Sequence, residues 1–187
     1  MRKAIALLLL MAVALPAAAW DLDALMDDLA RHKGGRARFV EKKSIALLDK
    51  PVVSSGELLF VPPARLEKRT LQPKPESLVL DGDMLTIERG KQKFNLRLSE
   101  QPAALAFVDS LRGTLTGDKA ALEKSYKLTF SGSENRWTLD LLPDDQRIAA
   151  FVVRITFGGS HHRVEWIRYL QADGDSSVMT IEPLDSP

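Results

Sequence analysis

Residues 126–141 read Tyr126-Lys127-Leu128-Thr129-Phe130-Ser131-Gly132-Ser133-Glu134-Asn135-Arg136-Trp137-Thr138-Leu139-Asp140-Leu141. Tyr126, Leu128 and Phe130 alternate with Lys127 and Thr129. After a turn signal at Gly132-Ser133, Trp137, Leu139 and Leu141 alternate with Arg136, Thr138 and Asp140. A twofold period sends successive side chains to opposite faces, so each arm is a strand with one apolar face, and the short break makes the two arms antiparallel neighbours.

The same signature extends outward in both directions. Phe94, Leu96 and Leu98 alternate with Lys93, Asn95 and Arg97, and further strands are expected at 36–44, 56–61, 65–70, 76–80, 84–88, 149–157, 164–171 and 177–182. Turn signals separate them at Ser54-Ser55-Gly56, Asp81-Gly82, Gly90-Lys91, Gly158-Gly159 and Asp173-Gly174-Asp175, the spacing of an antiparallel meander. About ten or eleven strands in one sheet make a mainly β chain with helices, of the α+β class, and an open sheet of that width is expected to curl and present a concave face.

Two segments depart from the twofold period. Over residues 21–33, Leu22, Leu25, Met26 and Leu29 fall on one helical stripe, with Asp21 placed to cap its start and Gly34-Gly35 to end it. Between Ser99 and Ser125, Ala104, Leu105, Phe107, Val108 and Leu111 form a broad apolar face ending at Gly113, and Asp118 can cap a second short helix. Pro102 suits a first helical turn, where its missing N–H costs little. Helices with apolar stripes must bury them, and laying them on the concave face is the simplest way.

The chain opens with Met1-Arg2-Lys3, an apolar run from Ala4 to Leu15, and Pro16-Ala17-Ala18-Ala19 before Trp20. This reads as an export signal cleaved near Trp20, with residues 1–19 removed and 20–187 forming one domain. Export places the protein in the periplasm. Without cysteine it has no disulfide, no thiolate metal site and no acceptor for N-terminal lipid, so it is expected to be soluble once processed. Loss of Arg2 and Lys3 leaves 24 basic and 25 acidic side chains, a balance that argues against nucleic acid as a partner.

A search for catalytic machinery returns little. There is no Gly-x-Ser-x-Gly elbow and no His-Glu-x-x-His, and the imidazoles are His32, His161 and His162. His161 and His162 sit between two strands, where neighbouring side chains point to opposite sides, so they read as hairpin-turn residues. Asp144-Asp145 and Asp27-Asp28 read as solvated charges. Asp173-x-Asp175 lacks the Gly and distant Glu of an EF-hand loop, and the glycines at 158 and 159 have no helix after them to hold phosphate. No catalytic residue, metal site or cofactor is assigned. The chain does carry strands apolar on both faces, such as Leu58-Leu59-Phe60-Val61 and Leu78-Val79-Leu80, which need cover on both sides.

The order of features carries a resemblance. A signal segment and amphipathic helix are followed by Ala37-Arg38-Phe39-Val40-Glu41, then Ser55-Gly56-Glu57-Leu58-Leu59-Phe60-Val61-Pro62-Pro63, Pro75, Ser77-Leu78-Val79-Leu80-Asp81-Gly82 and Met84-Leu85-Thr86-Ile87, with the helical insertion and more strands after them. The chain resembles the periplasmic outer-membrane lipoprotein carrier family, LolA-like, as a divergent member. The resemblance implies an unclosed half-barrel whose apolar cavity, lidded by helices, shelters the acyl chains of a lipoprotein or other lipid on its way toward the outer membrane. It further implies an inner-membrane donor complex, an outer-membrane acceptor, no cofactor and a monomeric carrier. The inner wall is expected to include Leu58, Phe60, Leu66, Leu78, Leu80, Phe94 and Leu96, with Leu105, Phe107, Val108 and Leu111 as the lid.

Two positions depart from the family pattern. Where better-known members carry, just before the motif proline, an arginine that hydrogen-bonds the lid, this chain has Pro62, which cannot donate. A strand position past it that is usually aromatic is Lys68. Some relatives handle pigment-linked and glycolipid products, so the implied cargo extends beyond lipoproteins. Related half-barrels also occur in envelope-stress sensors that bind a membrane protein, which makes a regulatory binding protein the alternative expectation. A hydrolase using His161 and His162 is a third.

Overall fold

A computed structural model describes residues 20–184; the expected signal segment, residues 1–19, lies outside the described residues. Alternation is realised as eleven strands: β1 Gly35–Ser44, β2 Val52–Val61, β3 Arg65–Gln72, β4 Glu76–Asp81, β5 Met84–Arg89, β6 Gln92–Arg97, β7 Tyr126–Ser133, β8 Arg136–Pro143, β9 Val152–Ser160, β10 Arg163–Gln171 and β11 Ser176–Pro183. The helices are α1 Leu22–Ala30, α2 Pro102–Leu115, α3 Lys119–Glu123 and α4 Gln146–Ala149, with one 3-10 turn at Leu98–Glu100. Among the described residues no helix is long and apolar enough to cross a membrane.

The strands form one antiparallel sheet in the order β6-β5-β4-β3-β2-β1-β11-β10-β9-β8-β7. It is therefore two meanders joined at β1 and β11, rather than the single meander that consecutive turns suggest. Phe39 of β1 faces Ile181 of β11 across that seam. Since β6 and β7 are the two free edges, the sheet is an unclosed half-barrel, and the chain between them has to travel from one edge to the other. That segment is the 3-10 turn, α2 and α3, which is why the helical insertion spans the mouth.

Four glycine signals fall inside elements rather than in turns; one is Gly132-Ser133, inside β7 with Gly132 opposite Trp137, the turn itself falling at Glu134 and Asn135. Gly56 lies inside β2, where a Cβ would sit 1.9 Å from the Arg69 carbonyl oxygen and 3.0 Å from the Phe39 ring. Gly158 lies inside β9, where a Cβ would sit 2.2 Å from the Trp166 indole, and its neighbour Gly159 is in the same strand. The β9–β10 turn falls instead at His161 and His162, as their place between strands predicts. Gly113 does not end α2: the helix runs on to Leu115, and the missing side chain admits Leu122 of α3, whose atoms would lie 2.6 Å from a Cβ.

The N-terminal capping expectations are met, whereas α1 ends at Ala30 with Arg31 as its C-cap, ahead of Gly34-Gly35. The Asp21 carboxylate accepts from the Ala24 amide at 3.0 Å at the start of α1, and Asp118 accepts from Ala121 at 2.9 Å at the start of α3. Leu25, Met26 and Leu29 of α1 and Leu122 of α3 bury against Trp137, Leu139, Leu141, Ile155 and Phe157. This core fills the half of the concave face made by β7–β10 and identifies which face of the sheet is inner.

Candidate functional site

Register, followed strand by strand, shows what the other half of the inner face contains. Directly paired residues share a face, so three rungs can be traced from β1 outward. The first runs Gly35, Phe60, Leu66, Leu80, Leu85, Leu96; the second Ala37, Leu58, Lys68, Leu78, Ile87, Phe94; the third Phe39, Gly56, Thr70, Glu76, Arg89, Gln92. Leu58, Phe60, Leu66, Leu78, Leu80, Phe94 and Leu96 thus all lie on the first two rungs, on the face to which Phe39 and Ile181 belong.

Cover over these rungs is uneven. Phe60 and Leu80 are buried, Leu58, Leu66 and Leu78 are half-buried, and at the edge strand Phe94 is 46% and Leu96 37% exposed. The seven residues form an apolar shelf, open along β6, in place of a closed cavity. Leu85 and Ile87 complete it and were legible in the alternation of Met84-Leu85-Thr86-Ile87. Two other hollows are open surface depressions: one of about 300 Å³ at the ends of the β7–β8 and β9–β10 hairpins, walled by Trp137 and Trp166, and one of about 250 Å³ lined by Val40, Gly56 and Leu71.

Polarity rises along the strands toward the third rung. Lys68 reaches diagonally to Glu41, its Nζ 2.5 Å from Oε2 and 4.8 Å from the centre of the Phe39 ring. Gly56 leaves the space that this ring occupies. Arg89 pairs with Glu76 on the same rung. Lys68 is therefore paired with a carboxylate and laid on an aromatic face, which offsets the cost of a charge beside an apolar surface.

The expected lid residues divide into two stripes of α2. Phe107 and Leu111, four residues apart, pack against the core on the β7–β10 side, and Phe107 meets the Tyr169 ring edge-on at 5.0 Å. Tyr126 anchors the same helix by donating to the Ala106 carbonyl at 2.7 Å; burial pushes its phenol pKa up. Leu105 and Val108 share the other stripe with Arg112, seven and four residues before it, and are half-buried. Arg112 shows where that stripe faces: its guanidinium donates to the Ala64 carbonyl at 3.3 and 3.2 Å and to the Gly82 carbonyl. Those carbonyls lie in the β2–β3 and β4–β5 turns, at the first-rung end of the shelf.

Pro62 has no N–H to donate, and a helix arginine binds the Ala64 carbonyl two residues after it. Nothing in the sequence singles Arg112 out, because its partners are backbone oxygens. At the same end His32, just after α1, stacks on Phe60 at 6.4 Å and lies 5.7 Å from the His162 ring. Burial, and then the charge of His162, hold the His32 imidazole below its ordinary pKa. His161 turns the other way, with Nδ1 3.2 Å from Glu134.

Residues 14–181 match the family described as outer membrane lipoprotein carrier protein LolA-like. No curated protein matches the sequence. Among solved structures, a LolA superfamily protein from Nitrosomonas europaea is 10% identical over 89% of this chain and 94% of its own, with a TM-score of 0.47. MucB in the MucA/MucB complex of Pseudomonas aeruginosa is 15% identical over 89% of this chain and 58% of that one, at 0.47. Lipoprotein LppX of Mycobacterium tuberculosis is 12% identical over 89% and 97%, at 0.45.

Proposed function

Since the chain belongs to the outer membrane lipoprotein carrier protein LolA-like family, we propose that it is a periplasmic carrier that shelters the acyl chains of a lipoprotein or another lipid on the shelf of β2–β6. One observation carries this reading: two rungs on a single face, apolar apart from Lys68, left uncovered at Phe94 and Leu96 in a sheet whose mouth a helix spans. Each acyl methylene moved from water to such a surface contributes about 0.8 kcal/mol. A chain long enough to anchor a lipid in a membrane is too costly to release into water alone, and a shelf that accepts it removes much of that cost. Leu105 and Val108 form the movable side of the site, and Arg112 holds it near the turns. No step requires a catalytic group. The donor is an inner-membrane complex and the acceptor lies at the outer membrane.

Mass spectrometry of organic extracts of protein purified from its native envelope, paired with displacement of a fluorescent fatty acid, tests the reading. The expected result is a co-purifying acylated molecule and saturable probe binding. Phe94→Asp, at an edge position 46% exposed, should weaken probe binding about tenfold or more by placing a charge on the shelf, with thermal melting to show that the variant folds. Lipid-free protein that also fails to bind the probe would sink the carrier function. Stoichiometric recovery of one inner-membrane protein without lipid would favour a regulatory binding protein instead.

A further inference from the structure

Away from the shelf, the apex of the β1–β2 hairpin exposes apolar side chains that no core claims. Leu47 is 94% and Leu48 53% exposed. The loop is not loose: its Leu48 amide donates to the Ile45 carbonyl at 2.9 Å, its Ala46 amide donates to the Asp175 carboxylate at 3.0 Å, and Lys43 pairs with that carboxylate at 3.4 Å. A base pinned to the β10–β11 turn thus holds two leucines outward. The apolar surface continues onto the outer face of the sheet, where Val53 and Val178 flank Lys42 on one rung, at 49% and 36% exposure, with Val40 and Leu71 nearby.

Charge surrounds this apex. Lys42 and Lys50 stand exposed on its two arms, and Lys74 is exposed in the β3–β4 turn at the same end of the sheet. The acids nearby are Asp49 in the loop, Asp173 and Asp175 in the neighbouring turn, and Glu76 after Lys74, which pairs with Arg89. Asp175 is engaged as described, and Asp173 accepts from the Asp175 amide at 2.9 Å. We propose that this hairpin apex is a membrane-docking element that inserts Leu47 and Leu48 into the acyl boundary of an anionic bilayer while Lys42, Lys50 and Lys74 meet its headgroups. A protruding apolar tip within a set of lysines complements a bilayer, which takes apolar groups at the interface and presents negative charge around them. The element is distinct from the shelf and does not depend on what the shelf carries.

The test is flotation of purified protein with vesicles of phosphatidylethanolamine and phosphatidylglycerol, against vesicles of phosphatidylcholine alone. The protein should float with the anionic vesicles and lose that binding as salt is raised. Leu47→Ser with Leu48→Ser should weaken partition about tenfold or more, and Lys42→Gln, Lys50→Gln and Lys74→Gln together should remove the preference for anionic lipid. These positions are exposed, and unchanged thermal melting would show that the variants fold. Failure of the wild type to float, equal flotation of the leucine variant, or cross-linking of the apex to a protein with no vesicle binding would each overturn the proposal. Fatty-acid probe binding should be unchanged in these variants. Flotation without probe binding would refute the carrier reading and leave this one standing.

Discussion

Arg112 and His32 make the contacts that tie the helices to the first-rung end of the shelf. The Arg112 guanidinium serves two backbone carbonyls of two different turns, so Arg112→Ala should cost about 1 kcal/mol of stability and loosen α2 more than the sheet. Hydrogen exchange checks this: amides of residues 102–115 should exchange faster in the variant while those of β8 and β9 keep their protection. His32 acts through protonation. Its folded-state pKa lies below the ordinary 6.5, so between the two values the unfolded chain binds more protons and stability rises with pH. The contribution is complete above about pH 6.5 and is lost as pH falls through the lowered value. The melting temperature should drop from pH 7 to pH 5, and His32→Gln should flatten that slope; an unchanged slope would remove His32 from the account.

At the scale of elements, alternation located all the strands, and capping residues located α1 and α3, because these signals are local. Glycines were harder to read. Gly56, Gly158 and Gly159 look like turns in the sequence, yet they are strand positions where a neighbouring backbone or an aromatic ring comes too close for a side chain, and the neighbour is far away along the chain. Gly56→Ala separates the two readings. Gly56 does not require a positive φ, so alanine in a turn there would be harmless, whereas alanine against the Arg69 carbonyl should push β3 from β2 and cost about 2 kcal/mol or more, measured by urea unfolding. The shelf residues were legible for the same reason as the strands: period two assigns each strand's face, and register joins the faces. Their exposure was not legible, since it depends on where the insertion lies. Nor was the Lys68–Glu41 pair, which reaches across an intervening strand.

For the whole molecule, the decisive fact is that the sheet's two free edges are joined by a helical segment that has to cross its mouth. Consecutive strands gave the two meanders; the β1–β11 pairing that makes them one sheet joins residues from opposite ends of the chain, and no local pattern announces it. One half of the concave face is then filled by α1, α2 and α3, and the other is left as an apolar shelf whose polarity rises toward the third rung. The most direct measurement of that division is photo-cross-linking with a fatty acid bearing a diazirine near its terminal methyl, followed by peptide mapping. The account predicts adducts on the inner face of β2–β6, at Leu78, Leu80, Phe94 and Leu96 and on Leu105 or Val108 of α2, lost when unlabelled fatty acid competes. Adducts confined to the outer face or to the β7–β10 half, or none that competitor removes, would contradict it.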